Sequence, residues 1–319
     1  MNNKKILLSI IILSYNTAKL LMNCLNSLEF EIRNLKFKVE VIVVDNGSTD
    51  DSVEMIKSYI NKSSRQFANI RDNSGKIILI ENKENLGFAK GNNVGLKEVH
   101  GKYILFLNSD TEVFSGALSE ATAFMENNSD IGALSVKTLL DTGKMDPDCH
   151  RGFPTPWASI TYFLGLENFF PKSRFFGQYH KFYLDLNQNH EIEAGAGAFM
   201  LIPRKVIDKI GAWDENYFFY GEDLDFFFRI KNAGYKVFFY AKPLLKHLKG
   251  ASSGLRSESK AISKNSKANR IRLAKASVEA MSIFYKKFYK NLYPGWLTTL
   301  VLAAIKIKGL FRLIKHYIT

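Results

Sequence analysis

Four short apolar runs punctuate the first third of the chain: IIIL ending at Leu13, VEVIVV at Val44, IILI at Ile80 and YILFL at Leu107. They alternate with helix-like segments. Strands that alternate with helices imply right-handed crossovers and a mainly parallel sheet covered on both faces, so the pattern predicts an α/β fold. Each run stops at a polar cluster: SYN (Ser14 to Asn16), DNGSTD (Asp45 to Asp50), ENKENLGFAKGNN (Glu81 to Asn93) and NSD (Asn108 to Asp110). Ligands of open α/β sheets bind outside the carboxyl ends of the strands, so the four clusters together define one crevice. DNGSTD alone reads equally well as a turn and helix N-cap through Ser48 or Thr49. Capping does not account for all four clusters.

After Asp146 the periodicity fades into aromatic, Pro-bearing sequence, RGFPTPW and then FFPKSRFFGQYHKFY. Such a segment either covers a site or packs as an irregular excursion. EAGAGAFMLI predicts a small-residue strand ending near Ile202. GAWDENYFFYGEDLDFFFRIKNAGYKVFFY predicts a helix that starts at Glu222, Asp223 and Asp225, with Gly234 as its C′ residue and a closing strand from Tyr235 to Tyr240. Residues Ala251 to Arg270 are rich in Ser, Lys and Asn, which predicts a mobile linker. Two further helices are expected, Ile271 to Lys290 and Leu297 to Ile318, broken by YPG at Tyr293 to Gly295. In the last, Leu300, Ala304, Ile307, Phe311, Ile314 and Ile318 form one stripe, flanked by Lys308, Arg312, Lys315 and His316.

With 319 residues and 46% apolar composition, the chain can bury a sizeable core, which excludes disorder and fibre. Cys24 and Cys149 fit neither a disulfide framework nor a zinc spacing, which points to a reducing, cytoplasmic compartment. Lys4 and Lys5 precede the run Ile6 to Leu13 as in a signal peptide. That run has no cleavage site after it and is too short to span a bilayer, so it reads as a buried strand.

The net charge of +13 is unevenly placed. From Lys246 to Thr319 sixteen Lys and Arg stand against Glu258 and Glu279, a net of +14 that leaves the preceding residues at −1. A basic tail with a continuous apolar stripe suits an anionic membrane surface. Docking on the catalytic body or a second subunit is the alternative. Nucleic acid is disfavoured as a partner, because the stripe would be wasted on a phosphate backbone.

The phosphate cradles GxGxxG and GxxxxGK[ST] are both missing, which excludes dehydrogenase and P-loop patterns. The ordered set SYN, VVDNGSTD, NLGFAKGNN, NSD and GAFM…GAWDENYFFYGEDLDFFFR, with His247 downstream, resembles the inverting glycosyltransferases of family 2, GT-A fold. Within that family it is most similar to the bacterial rhamnosyltransferase-like branch of surface-polysaccharide enzymes. The resemblance spans Ile6 to Ser253. It implies a GT-A catalytic domain over 1–250, with a nucleotide-sugar half at 1–110 and an acceptor half at 111–250. The linker over 251–270 and a basic amphipathic extension over 271–319 follow.

The resemblance also implies an activity: transfer of a sugar, rhamnose on branch similarity, from a dTDP- or UDP-linked donor to a saccharide or lipid-linked saccharide acceptor. Ser14, Tyr15, Asn16, Asp45, Asn85, Gly87, Asn92, Asn108 and Ser109 would meet the donor. Gly87 and Gly91 would let the backbone come close, and Asp45 can accept from the imide N–H shared by uracil and thymine. A divalent cation would stabilise the leaving diphosphate. Asp110 and His247 are its implied ligands, with Mn2+ or Mg2+ as the ion. Asn108 stands where the best-known version of the motif has an Asp.

Asp223 is the implied base, with Glu222 beside it on the acceptor side. Asp225, two positions on, cannot face the same way and reads as a helix-start acid. The surrounding aromatics would raise a carboxyl pKa by desolvation and pack against sugar. The implied setting is the inner face of the plasma membrane. A non-catalytic sugar-nucleotide-binding or scaffolding subunit of the same pathway is the alternative. Processive synthesis is disfavoured without transmembrane helices or a QxxRW motif, and the sequence specifies no oligomeric state.

Overall fold

The computed structural model describes residues 5–67, 76–248 and 267–318. The expected linker falls outside them except for 267–270, which are helical. Strand β1 (Ile6–Ser14) lies between parallel β2 (Lys38–Asp45) and β4 (Tyr103–Asn108), with β3 (Ile77–Glu81) outside β2. Helices α1 (Ala18–Arg33), α2 (Ser52–Phe67) and α3 (Phe88–Leu96) make the crossovers. The run from Ile10 to Leu13 is apolar at every position because both faces are covered. Ile10 and Ile12 enter one core layer and Ile11 the other, as the alternation of side chains along a strand requires. Registers pair Ser14 with Asp45, Asp45 with Glu81, and Leu13 with Asn108. The polar clusters therefore end level, along one edge of the sheet.

The chain continues through β5 (Thr111–Val113), α4 (Ala117–Asn127), β6 (Ile131–Leu140), α5 (Pro156–Phe163), α6 (Leu166–Phe169), β7 (His190–Ile192) and β8 (Phe199–Pro203). Then come α7 (Arg204–Ile210), α8 (Glu222–Asn232), β9 (Lys236–His247), α9 (Lys267–Phe284) and α10 (Gly295–Ile318). The sheet order is β3-β2-β1-β4-β8-β6-β9-β5, and β7 pairs with β9. Strand β8 runs antiparallel to both neighbours, whereas β6 and β9 are parallel.

Three boundaries differ from the sequence expectation. The strand expected through EAGAGAFMLI forms only in its second half, as β8, while β7 lies just before the segment; between them Gly195 presses its backbone onto the Ser135 side chain and leaves no room for a Cβ. The closing strand runs on to His247, because its outer half gains β5 as a partner. Helix α9 passes into a π turn (Tyr285–Tyr289) before the break at Pro294.

The C-terminal helices are fastened to the body by aromatic packing. Phe228 of α8 lies 5.7 Å from Phe284 and 4.2 Å from Phe288, centroid to centroid. Helix α10 lies against α9 so closely that a Cβ on Gly309 would meet Val278 Cγ1 at 2.6 Å. Its stripe is not buried by this packing: Leu300, Ile307 and Phe311 stay exposed. Among the described residues no helix is long and apolar enough to cross a membrane.

Candidate active site

A cavity of about 1200 Å³ opens at the carboxyl edge of the sheet. On its donor side, Asn46 organises the loop after β3. Its Nδ2 donates to Asn85 Oδ1 at 3.1 Å and to the Gly87 carbonyl at 3.2 Å, while its Oδ1 accepts from the Leu86 amide at 3.1 Å. Gly87 has φ +84°, and a Cβ there would meet the Phe218 carbonyl oxygen at 2.5 Å. The adjacent Phe88 amide donates to that carbonyl at 2.8 Å. The close approaches allowed by Gly87 and Gly91 are thus within the protein, since a Cβ on Gly91 would meet Leu13 Cδ1 at 2.6 Å.

Tyr15, Asn85, Gly87, Asn108 and Ser109 line the cavity, but Ser14, Asn16, Asp45 and Asn92 do not. The latter four support the wall from behind. Ser14 Oγ is 2.8 Å from Thr17 Oγ1, which lies 3.1 Å from Ser109 Oγ. Asn16, at φ +54°, accepts from the Thr49 amide at 2.7 Å. Asn92 donates to the Phe88 carbonyl within its own helix. Asp45 Oδ2 accepts from the Ser48 amide at 2.9 Å, and Asp45 Oδ1 is buried without a hydrogen-bond partner. Such an acceptor is costly to leave unmet.

The opposite wall is built by the start of α8. Tyr220 and Gly221 both take left-handed φ, +69° and +81°, a turn that costs a non-glycine residue strain. They bring Glu222 and Asp223 to the cavity. Asp223 Oδ2 accepts from Arg151 Nη2 at 2.5 Å and Oδ1 from the Leu224 amide at 2.8 Å. Arg151 is nearly buried and also donates to the Gly195 carbonyl. The sequence reading does not include Arg151. Its only signal there is a lone cation opening the otherwise uncharged stretch RGFPTPW.

Glu222 is buried, with Oε2 lacking a partner. Burial first, and then the Asp223 charge beside it, hold the Glu222 carboxyl well above the usual carboxylate range. A carboxyl raised in the folded state loses its proton first in the unfolded chain, so its presence erodes stability as pH climbs above 4.5. Glu222→Gln, which imitates the neutral form, should therefore melt higher than wild type at about pH 8. The gap should close as the pH falls into the ordinary carboxylate range, which paired thermal melts will read.

The aromatics around these acids divide between two fates. Phe218, Phe219 and Tyr220, in the loop, line the cavity. Phe226 and Phe227, on the inner face of α8, are wholly buried, and Phe226 packs on Phe106 and Trp213. Asp225 points away from the cavity into ion pairs with Arg229 at 2.7 Å and Lys287 at 2.6 Å.

Antiparallel pairing of β5 with β9 sets Thr111 opposite His247, and the Leu248 amide donates to the Asp110 carbonyl. This brings Asp110 and His247 together on the cavity wall, with His247 Nε2 3.2 Å from Asp110 Oδ1 and Nδ1 3.4 Å from Asp146 Oδ2. Burial opposes charge on the His247 ring, but Asp110 and then Asp146 outweigh it and raise the ring to about 9. Among the described residues no group of three or more His, Cys, Asp or Glu side chains is arranged to hold a metal ion. One carboxylate and one imidazole fit Mn2+ or Mg2+ only when oxygens of a bound diphosphate fill the remaining positions and His247 gives up its proton.

The sequence profile described as "Glycosyl transferase family 2" matches residues 9–211. TarS of Staphylococcus aureus, named a poly(ribitol-phosphate) beta-N-acetylglucosaminyltransferase, is 33% identical over 136 residues, which are 42% of this chain and 22% of TarS. The chain thus spans about a fifth of the length of that relative. Among solved structures, S. aureus TarS 1-349 superposes with a TM-score of 0.51 at 17% identity, covering 98% of this chain and 81% of the other. GalNAc-T7 with UDP, GalNAc and Mn2+ superposes at 0.56 with 16% identity, covering 88% and 50%. At these identities the structural likeness concerns the fold.

Proposed function

The chain belongs to glycosyl transferase family 2, and on that premise we propose that it moves a sugar from a pyrimidine nucleotide-diphosphate donor to a hydroxyl of a saccharide or lipid-linked saccharide. The observation that carries this reading is the Asp223 carboxylate, held by buried Arg151 in the same cavity as Asn85, Ser109 and Asp110. Direct displacement with inversion needs a base on the face opposite the leaving diphosphate. Asp223 takes the proton of the acceptor hydroxyl as its oxygen attacks the anomeric carbon and the bond to the diphosphate breaks. Arg151 fixes the rotamer of that carboxylate and compensates its charge, and Glu222 borders the acceptor.

Tyr15, Asn85, Gly87, Asn108 and Ser109 meet the nucleotide, while Ser14, Asn16, Asp45 and Asn92 shape the wall that receives it. Asp110 and His247 would hold a divalent cation shared with the diphosphate, which would offset the charge developing on the leaving group. TarS is named for N-acetylglucosamine, so UDP-N-acetylglucosamine is the first donor to try. The branch resemblance keeps dTDP-rhamnose as the second, and the charge of the basic tail supports work at the cytoplasmic membrane surface.

The test is a panel of UDP- and dTDP-sugars with Mg2+ or Mn2+, scored by thermal shift and nucleotide release. The expected result is a donor that both raises the melting temperature and releases its nucleotide diphosphate. Donors that bind without release would instead make the chain a sugar-nucleotide-binding subunit.

A further inference from the structure

The cavity continues past Asp223. It runs outward between α5 and α10, where Ile160, Phe163, Leu300, Ala304, Ile307 and Phe311 line it. Most of these side chains remain exposed: Phe163 is 50%, Leu300 59% and Phe311 68% accessible. A trough of this character, continuous with a polar site, suits an apolar chain more than a sugar or a ribose.

Two cations interrupt the trough. Lys308 and Arg312, one turn apart on α10, both line the cavity, and Lys308 Nζ sits 3.2 Å from the centre of the Phe163 ring. Neither pairs with a carboxylate among the described residues. Burial first, and then the neighbouring Arg312 charge, push the Lys308 amine down to about 8. Elsewhere in the protein, partly buried cations meet acids: Arg151 meets Asp223, Arg229 meets Asp225, and Lys287 meets Asp214 and Asp225. Two adjacent cations set in apolar surroundings without an acid are costly as they stand, and an anion relieves that cost. Phosphate is the natural match for a guanidinium beside an amine.

Resting on the glycosyltransferase reading, we propose that Lys308 and Arg312 bind the phosphate of a lipid-carried acceptor. Its apolar chain leaves along the α5–α10 trough, and its sugar hydroxyl faces Asp223. The occupant is one molecule with a sugar, a phosphate and a hydrocarbon chain, one part each for the carboxylate, the cations and the apolar walls that share the cavity.

The test is calorimetric binding of dodecyl phosphate to the full chain, with inorganic phosphate, dodecyl maltoside and phosphatidylglycerol vesicles as comparison probes. Wild type should bind dodecyl phosphate at least about tenfold more tightly than inorganic phosphate or dodecyl maltoside. K308Q/R312Q should lose about tenfold or more of that affinity without a fall in melting temperature. Ala304→Trp, which fills the trough and spares both charges, should weaken dodecyl phosphate but not inorganic phosphate. Unchanged dodecyl phosphate binding in K308Q/R312Q overturns the proposal. So does a loss confined to vesicle binding, which would assign the pair to bulk anionic lipid. These readouts need no turnover, so a failure of the donor panel and a failure of this site are separate results.

Discussion

Asp223→Asn loses sugar transfer by about 10²–10⁴-fold while nucleotide binding holds. Asparagine keeps the size of the side chain and one oxygen to accept from Arg151, but it cannot take the acceptor's proton. The loss should therefore appear in kcat, with the affinity for the nucleotide diphosphate, whose contacts lie on the opposite wall, within about twofold of wild type. The substitution also leaves the Arg151 charge without its counterion. Arg151 is 8% exposed and Asp223 16%, so the variant should melt lower, and turnover has to be measured well below that melt. Arg151→Lys separates orientation from charge. It keeps the cation but loses the planar fork, so kcat should fall by less than in Asp223→Asn. A folded Asp223→Asn protein with near-normal kcat would remove Asp223 from the role of base.

The reverse pattern is expected two residues away. Asp225→Asn should destabilise the protein by about 3–5 kcal/mol and leave transfer per folded molecule unchanged. Asp225 is fully buried, accepts from Arg229 Nε at 2.7 Å and from Lys287 Nζ at 2.6 Å, and Lys287 also reaches Asp214 at 2.6 Å. Removing the shared anion leaves Arg229 without its acid and Lys287 with Asp214 alone, at the joint between α8 and the π turn after α9. Urea titrations at several temperatures, with activity normalised to the folded fraction, will show whether the cost falls on stability alone. Together the two variants should divide the segment GEDLD into one acid for chemistry and one for architecture.

The parallel half of the sheet was legible because a doubly covered strand is mostly apolar, and the polar residues that end it then mark the binding edge. The runs ending at Leu13, Val44, Ile80 and Leu107 locate β1 to β4 to within one residue at the carboxyl end. The antiparallel placement of β8 was not legible, since five buried residues, FMLIP, read alike in either direction. Arg151 escaped for a different reason. Its meaning lies in Asp223, a residue far along the chain and brought near only by the packing of α8 against the irregular segment. The aromatics of YFFYGEDLDFFF could not be sorted by composition either. Phe226 and Phe227 are buried because helical spacing turns them inward, and Phe218 to Tyr220 face the cavity because the left-handed turn at Tyr220 and Gly221 precedes the helix. Periodicity carries the first fact and says nothing about the second.

The insertion of β8 has a mechanical meaning. It is laddered to β4 along five residue pairs, Tyr103 to Leu107, yet meets β6 at one register position, Leu134 with Leu201. On one side β4, β1, β2 and β3 are laddered in parallel, and on the other β6 pairs with β9 at nine positions, so the line between them is the lightly stitched one. Ala196, Gly197 and Ala198, just before β8, form part of the cavity wall, and a Cβ on Gly197 would touch Asp223 Cβ at 3.9 Å. The crease therefore passes beside the carboxylate proposed as base.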